Sequence, residues 1–159
     1  MMSFDHNELT IRCKGIAVVL LKKTEHQCQV LLLKRASSIL HDVWCYIGGG
    51  IETGEKAWQA ALREIQEETG ITHVTLYNSN KFDQFYSSID DFINLAPVFV
   101  GFVEEKQDVK LNNEHKEFKW MSFEEASEKV TLPGNDEVLR FIEKHFVKRD
   151  PLEWLRVVI

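Results

Sequence analysis

Cysteine is scarce and scattered in this chain of 159 residues: Cys13, Cys28 and Cys45 form no CxxC pair. That spacing argues against zinc-ribbon or thioredoxin-type chemistry. The odd number argues against a closed disulfide framework, so buried free thiols in a reducing compartment are expected. Basic residues are also in deficit, 19 Lys and Arg against 25 Asp and Glu, for a net charge of −6. A nucleic-acid polymer is therefore not an expected partner, because displacing phosphate counterions needs a basic surface. A small polyanion stays compatible where metal ions neutralise it locally. No apolar run approaches the roughly 20 residues that span a bilayer, so no membrane partner is expected. The opening MMSFDHNELT has neither a basic n-region nor an apolar h-region, which predicts no signal peptide and a cytoplasmic location. With three prolines, no Pro/Gly/Ser-rich linker, no internal repeat and no low-complexity tract, residues 1–159 read as a single domain. A chain of this length can bury a core without disulfides or structural metal.

What is present is an ordinary globular balance, 44% hydrophobic and 28% charged. Ile16–Leu21 and Val30–Leu33 are continuous, β-branched-rich apolar runs that predict buried strands joined by the polar turn Lys22–Gln27. Val43–Ile47 predicts a short strand ending at Gly48-Gly49-Gly50, where regular structure is expected to break. Glu55–Thr69 has helical spacing, with Ala57, Trp58, Ala61, Leu62 and Ile65 on one stripe and Gly70 placed as an αL cap. Val74–Tyr77, Phe82–Tyr86, Ile93–Val103 and Phe118–Met121 follow as strands, with an edge or bulge expected at Pro97. Ser122, with Glu125 completing a capping box, opens a helix through Lys129. Asn135 or Asp136 caps a final helix over about 135–147, whose buried face is Val138, Leu139, Ile142 and Phe146. The class is α/β or α+β, a mixed sheet between helices.

The central helix carries an arrangement that stability alone does not favour. Glu64, Glu67 and Glu68 stand at i, i+3 and i+4, placing three carboxylates on one face. A like-charged i,i+4 pair costs roughly 0.2–0.5 kcal/mol in an isolated helix. Arg63 can pair with Glu67 at i,i+4 without neutralising the cluster. Alone, such a stretch reads as a solvated face. Converging carboxylates are also what Mg2+ takes, together with water and substrate phosphate.

The glutamates do not stand alone. GGIETGEKAWQAALREIQEETGI, Gly49 to Ile71, fits G-x5-E-x7-R-E-U-x-E-E-x-G-U at Gly49, Glu55, Arg63, Glu64, Ile65, Glu67, Glu68, Gly70 and Ile71, with U a bulky apolar residue. At average residue frequencies a chance match in a chain this long is rarer than about one in a million. The segment resembles the Nudix box, and the chain is identified by it as similar to the Nudix hydrolases, nearest to MutT-like members.

The resemblance implies an α/β/α sandwich with a mixed central sheet and a box folded as loop–helix–loop. It implies Mg2+ as cofactor, with Mn2+ able to substitute, held by Glu67, Glu68, Glu64 and the carbonyl of Gly48. Arg63 then positions Glu64, and Glu55 braces the site with Gly49. Outside the box, Glu114 in EHKEFKW is similar to the acidic loop residue of MutT-like members that serves as a further ligand or general base. Arg35 matches an arginine that meets substrate phosphate, although a surface salt bridge fits it too. His41 and His115 read as structural or exposed.

A substituted diphosphate repels hydroxide, so the implied reaction is in-line attack by water on phosphorus, with Mg2+ neutralising phosphate oxygens and acidifying that water. Either Glu64 or Glu114 takes the proton. No Ser-His-Asp or Cys-His spacing requires a covalent intermediate. Trp44 can stack on a base or belong to the core. Tyr86 stands near the position of a tyrosine associated with dinucleoside-polyphosphate hydrolases. The expected partner is a small nucleotide: a nucleoside triphosphate (dNTP, NTP or dihydroneopterin triphosphate) cleaved to monophosphate and pyrophosphate. Dinucleoside polyphosphate hydrolysis of the Ap4A type, or a catalytically silent nucleotide-binding module, are the alternatives. A Nudix-fold isoprenoid diphosphate isomerase would need a cysteine motif that these three cysteines do not show. The tail DPLEWLRVVI can pack on its own domain or on a partner, which leaves a homodimer open.

Overall fold

The computed structural model describes residues 8–159. Most of the segment read for a signal peptide, residues 1–7, lies outside the described residues. The strands are β1 (Thr10–Arg12), β2 (Gly15–Lys23), β3 (Cys28–Arg35), β4 (Trp44–Cys45), β5 (Ile47–Gly50), β6 (Thr75–Ser87), β7 (Phe92–Val103) and β8 (His115–Met121). The helices are α1 (Ala57–Thr69), α2 (Phe123–Lys129) and α3 (Asn135–Ile142), the last continued by a π turn over Glu143–Val147.

The apolar run in β2 is continuous because both its faces are covered. Ala17, Val19 and Leu21 face α2 and α3, packed with Leu139, Ile142 and Phe146. Ile16, Val18 and Leu20 face α1, packed with Ala60, Ala61 and Ile65. The sheet between is mixed. β2 runs parallel to β7 and antiparallel to β3 and β5, while β6 pairs antiparallel with β7 and β8 with β3. The fold is an α/β/α sandwich. Among the described residues no helix is long and apolar enough to cross a membrane.

Several boundaries differ from expectation. Gly48, Gly49 and Gly50 continue as strand β5, paired with Ala17, Ile16 and Gly15, because backbone pairing needs no side chain. The helix opens at Ala57, not Glu55. The Lys56 amide donates to Gln59 Oε1 at 2.8 Å, and Glu55 is held outside by the Glu52 amide at 3.0 Å. Gly70 does end α1 in the αL region, φ 74°. The two strands expected around 74–86 are one, irregular between Asn78 and Lys81. Pro97 sits where β7 passes from β1, which it pairs through Asn94, to β2, which it pairs from Val98. Ser122 caps α2 by accepting from the Glu125 amide at 3.1 Å, but the Glu125 carboxylate engages Lys119 instead of returning to the cap. Gly134, not Asn135 or Asp136, precedes α3, at φ 100°. The three cysteines are free, but Cys13 is exposed and Cys28 and Cys45 only half-buried. In the tail, the Val157 amide donates to Leu76 O at 2.8 Å, while Trp154, Val158 and Ile159 stay exposed.

Candidate active site

The loop–helix–loop from Gly49 to Ile71 is organised by one guanidinium. Arg63 Nε donates to Glu55 Oε2 at 2.8 Å, and Nη2 to Glu55 Oε1 at 3.0 Å and Gly50 O at 2.7 Å. Its Nη1 donates to Glu64 Oε1 at 2.8 Å and Glu67 Oε2 at 3.2 Å. All five N–H groups of the planar fork are used, a geometry that lysine lacks. Glu55, then Glu64, hold the guanidinium further into its charged form, and the same bonds hold the Glu55 carboxyl below its ordinary range. Gly49 is required sterically. A Cβ there would stand 2.2 Å from Glu64 Oε1, so the bare backbone of β5 is what lets the buried Glu64 side chain lie against it.

The three helix carboxylates are thereby divided, contrary to the expected common set. Glu67 is at the exposed edge, bound to Arg63. Glu64 is buried behind Gly49, and burial raises its carboxyl above the ordinary range. Glu68 is 2% exposed; burial first, then the charges of Glu64 and Glu114, push its carboxyl up to about 9. A helix turns about 100° per residue, so i+3 and i+4 positions flank the i position on opposite sides. Among the described residues, the ligand atoms that do converge belong to Glu68, Glu114 and His115, all within 4.8 Å of one another. Glu68 Oε2 is buried without a hydrogen-bond partner among the described residues. An orphaned carboxylate oxygen among like charges fits a divalent cation, whose charge and open coordination positions meet both needs.

Glu114 and His115 reach this point through strand pairing. His115 opens β8 opposite Arg35, with the register shifting between Lys34 and Arg35, and Ala36 N donates to Glu114 O at 2.9 Å. Arg35 itself braces the following loop, donating to Ile39 O at 3.1 Å and Ser37 Oγ at 2.9 Å. Arg35, Gly48, Gly49, Glu68, Glu114 and His115 all line one cavity of about 1030 Å3. Burial and Arg35 both lower the His115 pKa, against the opposing charge of Glu114. Cys45 also lines the cavity; burial pushes its thiol up to about 11, which leaves it a poor nucleophile.

Trp44 and Tyr86 are outside this cavity. Cys45 takes the cavity side of β4, and adjacent strand residues face opposite ways. Trp44 accordingly packs on the core, with Lys34 and Lys129 over its ring at 5.8 and 5.7 Å. On β6 Asp83, Gln84 and Phe85 line the cavity, while Tyr86 is exposed and donates to Asp91 Oδ1 at 2.6 Å.

Three lining residues had no reading in the sequence as site residues. The Tyr46 hydroxyl is 3.1 Å from Asp83 Oδ2 and 2.9 Å from Asn135 Oδ1, and with one proton it donates to one of them at a time. Burial raises the Asp83 carboxyl above its ordinary range. The available signals were a carboxylate two residues before Phe85 in the strand pattern and the Pro133-Gly134 turn that displaces the helix cap from Asn135.

A carboxylate cluster beside a loop–helix–loop, opening into a nucleotide-sized cavity, is a site that can hold a divalent cation against a small polyanion. The sequence profile described as the NUDIX domain matches residues 12–142, and the chain belongs to the Nudix family. The asymmetrical bis(5'-nucleosyl)-tetraphosphatase of Caenorhabditis elegans is 29% identical over 115 residues, 71% of this chain and 81% of that protein. The nucleoside triphosphatase NudI of Salmonella paratyphi B is 28% identical over 106 residues, 61% of this chain and 75% of its own. The solved dihydroneopterin triphosphate pyrophosphohydrolase of E. coli shares the fold with a TM-score of 0.70, at 23% identity over 89% of this chain and all of that one. This protein is a Nudix pyrophosphohydrolase of the MutT-like kind, an enzyme of a family that uses divalent metal ions and acts on small nucleotides.

Proposed function

We propose that the enzyme cleaves a nucleoside triphosphate (a dNTP, an NTP or dihydroneopterin triphosphate) to the monophosphate and pyrophosphate, with Mg2+ or Mn2+ bound by Glu68 and Glu114. The observation that carries this reading is the single cavity that holds both a carboxylate cluster and the polar trio of Tyr46, Asp83 and Asn135. A bound divalent cation supplies charge neutralisation at the phosphate oxygens and a more acidic water. Glu114, exposed at the cavity wall, or Glu64, if released from Arg63, accepts the proton of the attacking water. Arg63 and Glu55 orient Glu64, Gly48 and Gly49 keep the backbone close, and Arg35 faces the phosphate chain. Asp83 and Asn135 offer an acceptor and an amide to the base or pterin edge.

Ap4A-type hydrolysis is the second reading. It is supported by the C. elegans relative and by Leu40 and Phe85, exposed apolar side chains at the same cavity that can receive a second base.

The test is a screen of nucleoside triphosphates, dinucleoside polyphosphates, nucleotide sugars and dihydroneopterin triphosphate with Mg2+ and product identification. Monophosphate plus pyrophosphate from a triphosphate is the expected result. Preferential cleavage of Ap4A would establish the second reading, and no turnover of any compound would leave a nucleotide-binding module.

A further inference from the structure

The reaction above gives His115 no task, yet the fold spends a buried position on it. The residue is 7% exposed, and its Nδ1 has no hydrogen-bond partner among the described residues. Its Nε2 has only the Cys45 Sγ at 3.9 Å, a weak contact for an imidazole. An imidazole kept for packing normally has both nitrogens satisfied. The same cluster contains a second orphan, Glu68 Oε2, on a side chain 2% exposed. Two unpartnered buried polar atoms of different chemistry, one oxygen and one nitrogen, therefore belong to residues that each bring a ligand atom within 4.8 Å of the others'.

We infer that His115 is a metal ligand, and that with Glu68 and Glu114 it forms a mixed nitrogen–oxygen site that prefers Mn2+, Co2+ or Zn2+ to Mg2+. The inference rests on the reading of Glu68 and Glu114 as the metal site. Mg2+ takes oxygen ligands and retains its waters, so an imidazole adds little to its binding. Imidazole suits the borderline transition ions, whose affinity for a nitrogen-containing site rises along the series from Mn2+ to Cu2+. Strand pairing delivers the residue: β8 starts at His115 opposite Arg35, at the point where the register with β3 shifts.

The test loads the whole protein with Mn2+ and records pulsed electron paramagnetic resonance, alongside calorimetric titrations with Mg2+, Mn2+ and Zn2+ for the wild type and His115→Gln. Nitrogen modulation on bound Mn2+ is expected in the wild type. Replacing the imidazole by a glutamine should weaken Mn2+ and Zn2+ by about ten-fold or more, and Mg2+ by less than about three-fold. A nitrogen-free Mn2+ spectrum, or equal weakening of all three ions in His115→Gln, overturns the inference. If the variant does not fold, the wild-type spectrum decides alone. Mg2+-dependent hydrolysis together with a nitrogen-free spectrum would refute this ligand while leaving the proposed function intact. Failure of every divalent ion to bind would overturn both.

Discussion

Gly49→Ala is the sharpest perturbation the structure offers, because its neighbour supplies a control. A Cβ at Gly49 would lie 2.2 Å from both Cδ and Oε1 of Glu64 and 2.7 Å from Cγ. These contacts are more than 1 Å inside ordinary van der Waals separation, so Glu64 must move. It is 8% exposed and tied to Arg63 at 2.8 Å, so moving it breaks a charge-assisted hydrogen bond in a buried place. Overpacking of this kind costs about 1–3 kcal/mol. A loss of about 2 kcal/mol corresponds to roughly 4–8 °C in Tm for a chain of this size. At Gly48 the nearest atom to a new Cβ is Ile16 O at 3.5 Å, an ordinary contact, so Gly48→Ala should stay within about 0.5 kcal/mol in stability. The assay is urea unfolding, read as a midpoint shift at constant slope. The decisive addition is Gly49→Ala in a Glu64→Ala background, where the colliding carboxylate is gone and the penalty should largely vanish. Equal losses for the two glycines, or an undiminished penalty in the double variant, would refute the steric account.

The remaining predictions concern the charges. Glu68→Gln should cut Mg2+-dependent turnover by about 100-fold or more, while in a metal chelator it should raise stability at neutral pH. The sign follows from the shift. With the folded pKa near 9 and the ordinary value 4.5, the native state holds a proton that the unfolded chain releases between those limits. Wild-type stability relative to the variant therefore falls as pH rises from 4.5 toward 9, and paired urea titrations across that range would show no divergence if the burial argument is wrong. Arg63→Lys, which cannot reproduce the five-bond fork, should lower kcat by about ten-fold or more with the fold retained by circular dichroism. An unchanged kcat would reduce Arg63 to a surface charge. Glu114→Gln should slow hydrolysis without abolishing Mg2+ binding in calorimetry, and wild-type rates would return it to the role of a loop residue.

Much of the fold was legible because its signals are local. The apolar run of β2, the helical stripe around Ile65 and the αL glycine at Gly70 each report on neighbours within a few residues, and each occurs where expected. Errors fell where a distant partner overrides local preference. The glycines of β5 are extended because β2 pairs with them, and Asn135 surrenders the cap because Tyr46 engages its side chain. Trp44 and Tyr86 are aromatic and near the box in sequence. Both have partners that sequence proximity does not reveal: Trp44 packs on the core and Tyr86 donates to Asp91.

By itself the sequence determined, through the resemblance of Gly49–Ile71 to the Nudix box, the family and with it the class of reaction, and it placed an arginine within reach of a carboxylate helix framed by glycines. The local part is written in spacings of one, four and eight residues, which a helix and its flanking loop convert directly into the contacts of Arg63 with Glu64, Glu67 and Glu55. Only the tertiary structure decided which carboxylate meets which partner. Glu68 comes together with Glu114 and His115, nearly fifty residues away, because β8 pairs with β3 at a shifted register. The polar trio of Tyr46, Asp83 and Asn135 likewise unites three elements that share no sequence neighbourhood. Helical geometry is periodic and local, whereas strand register is a property of the partner strand, and that is why the box could be read from the chain and the substrate pocket could not.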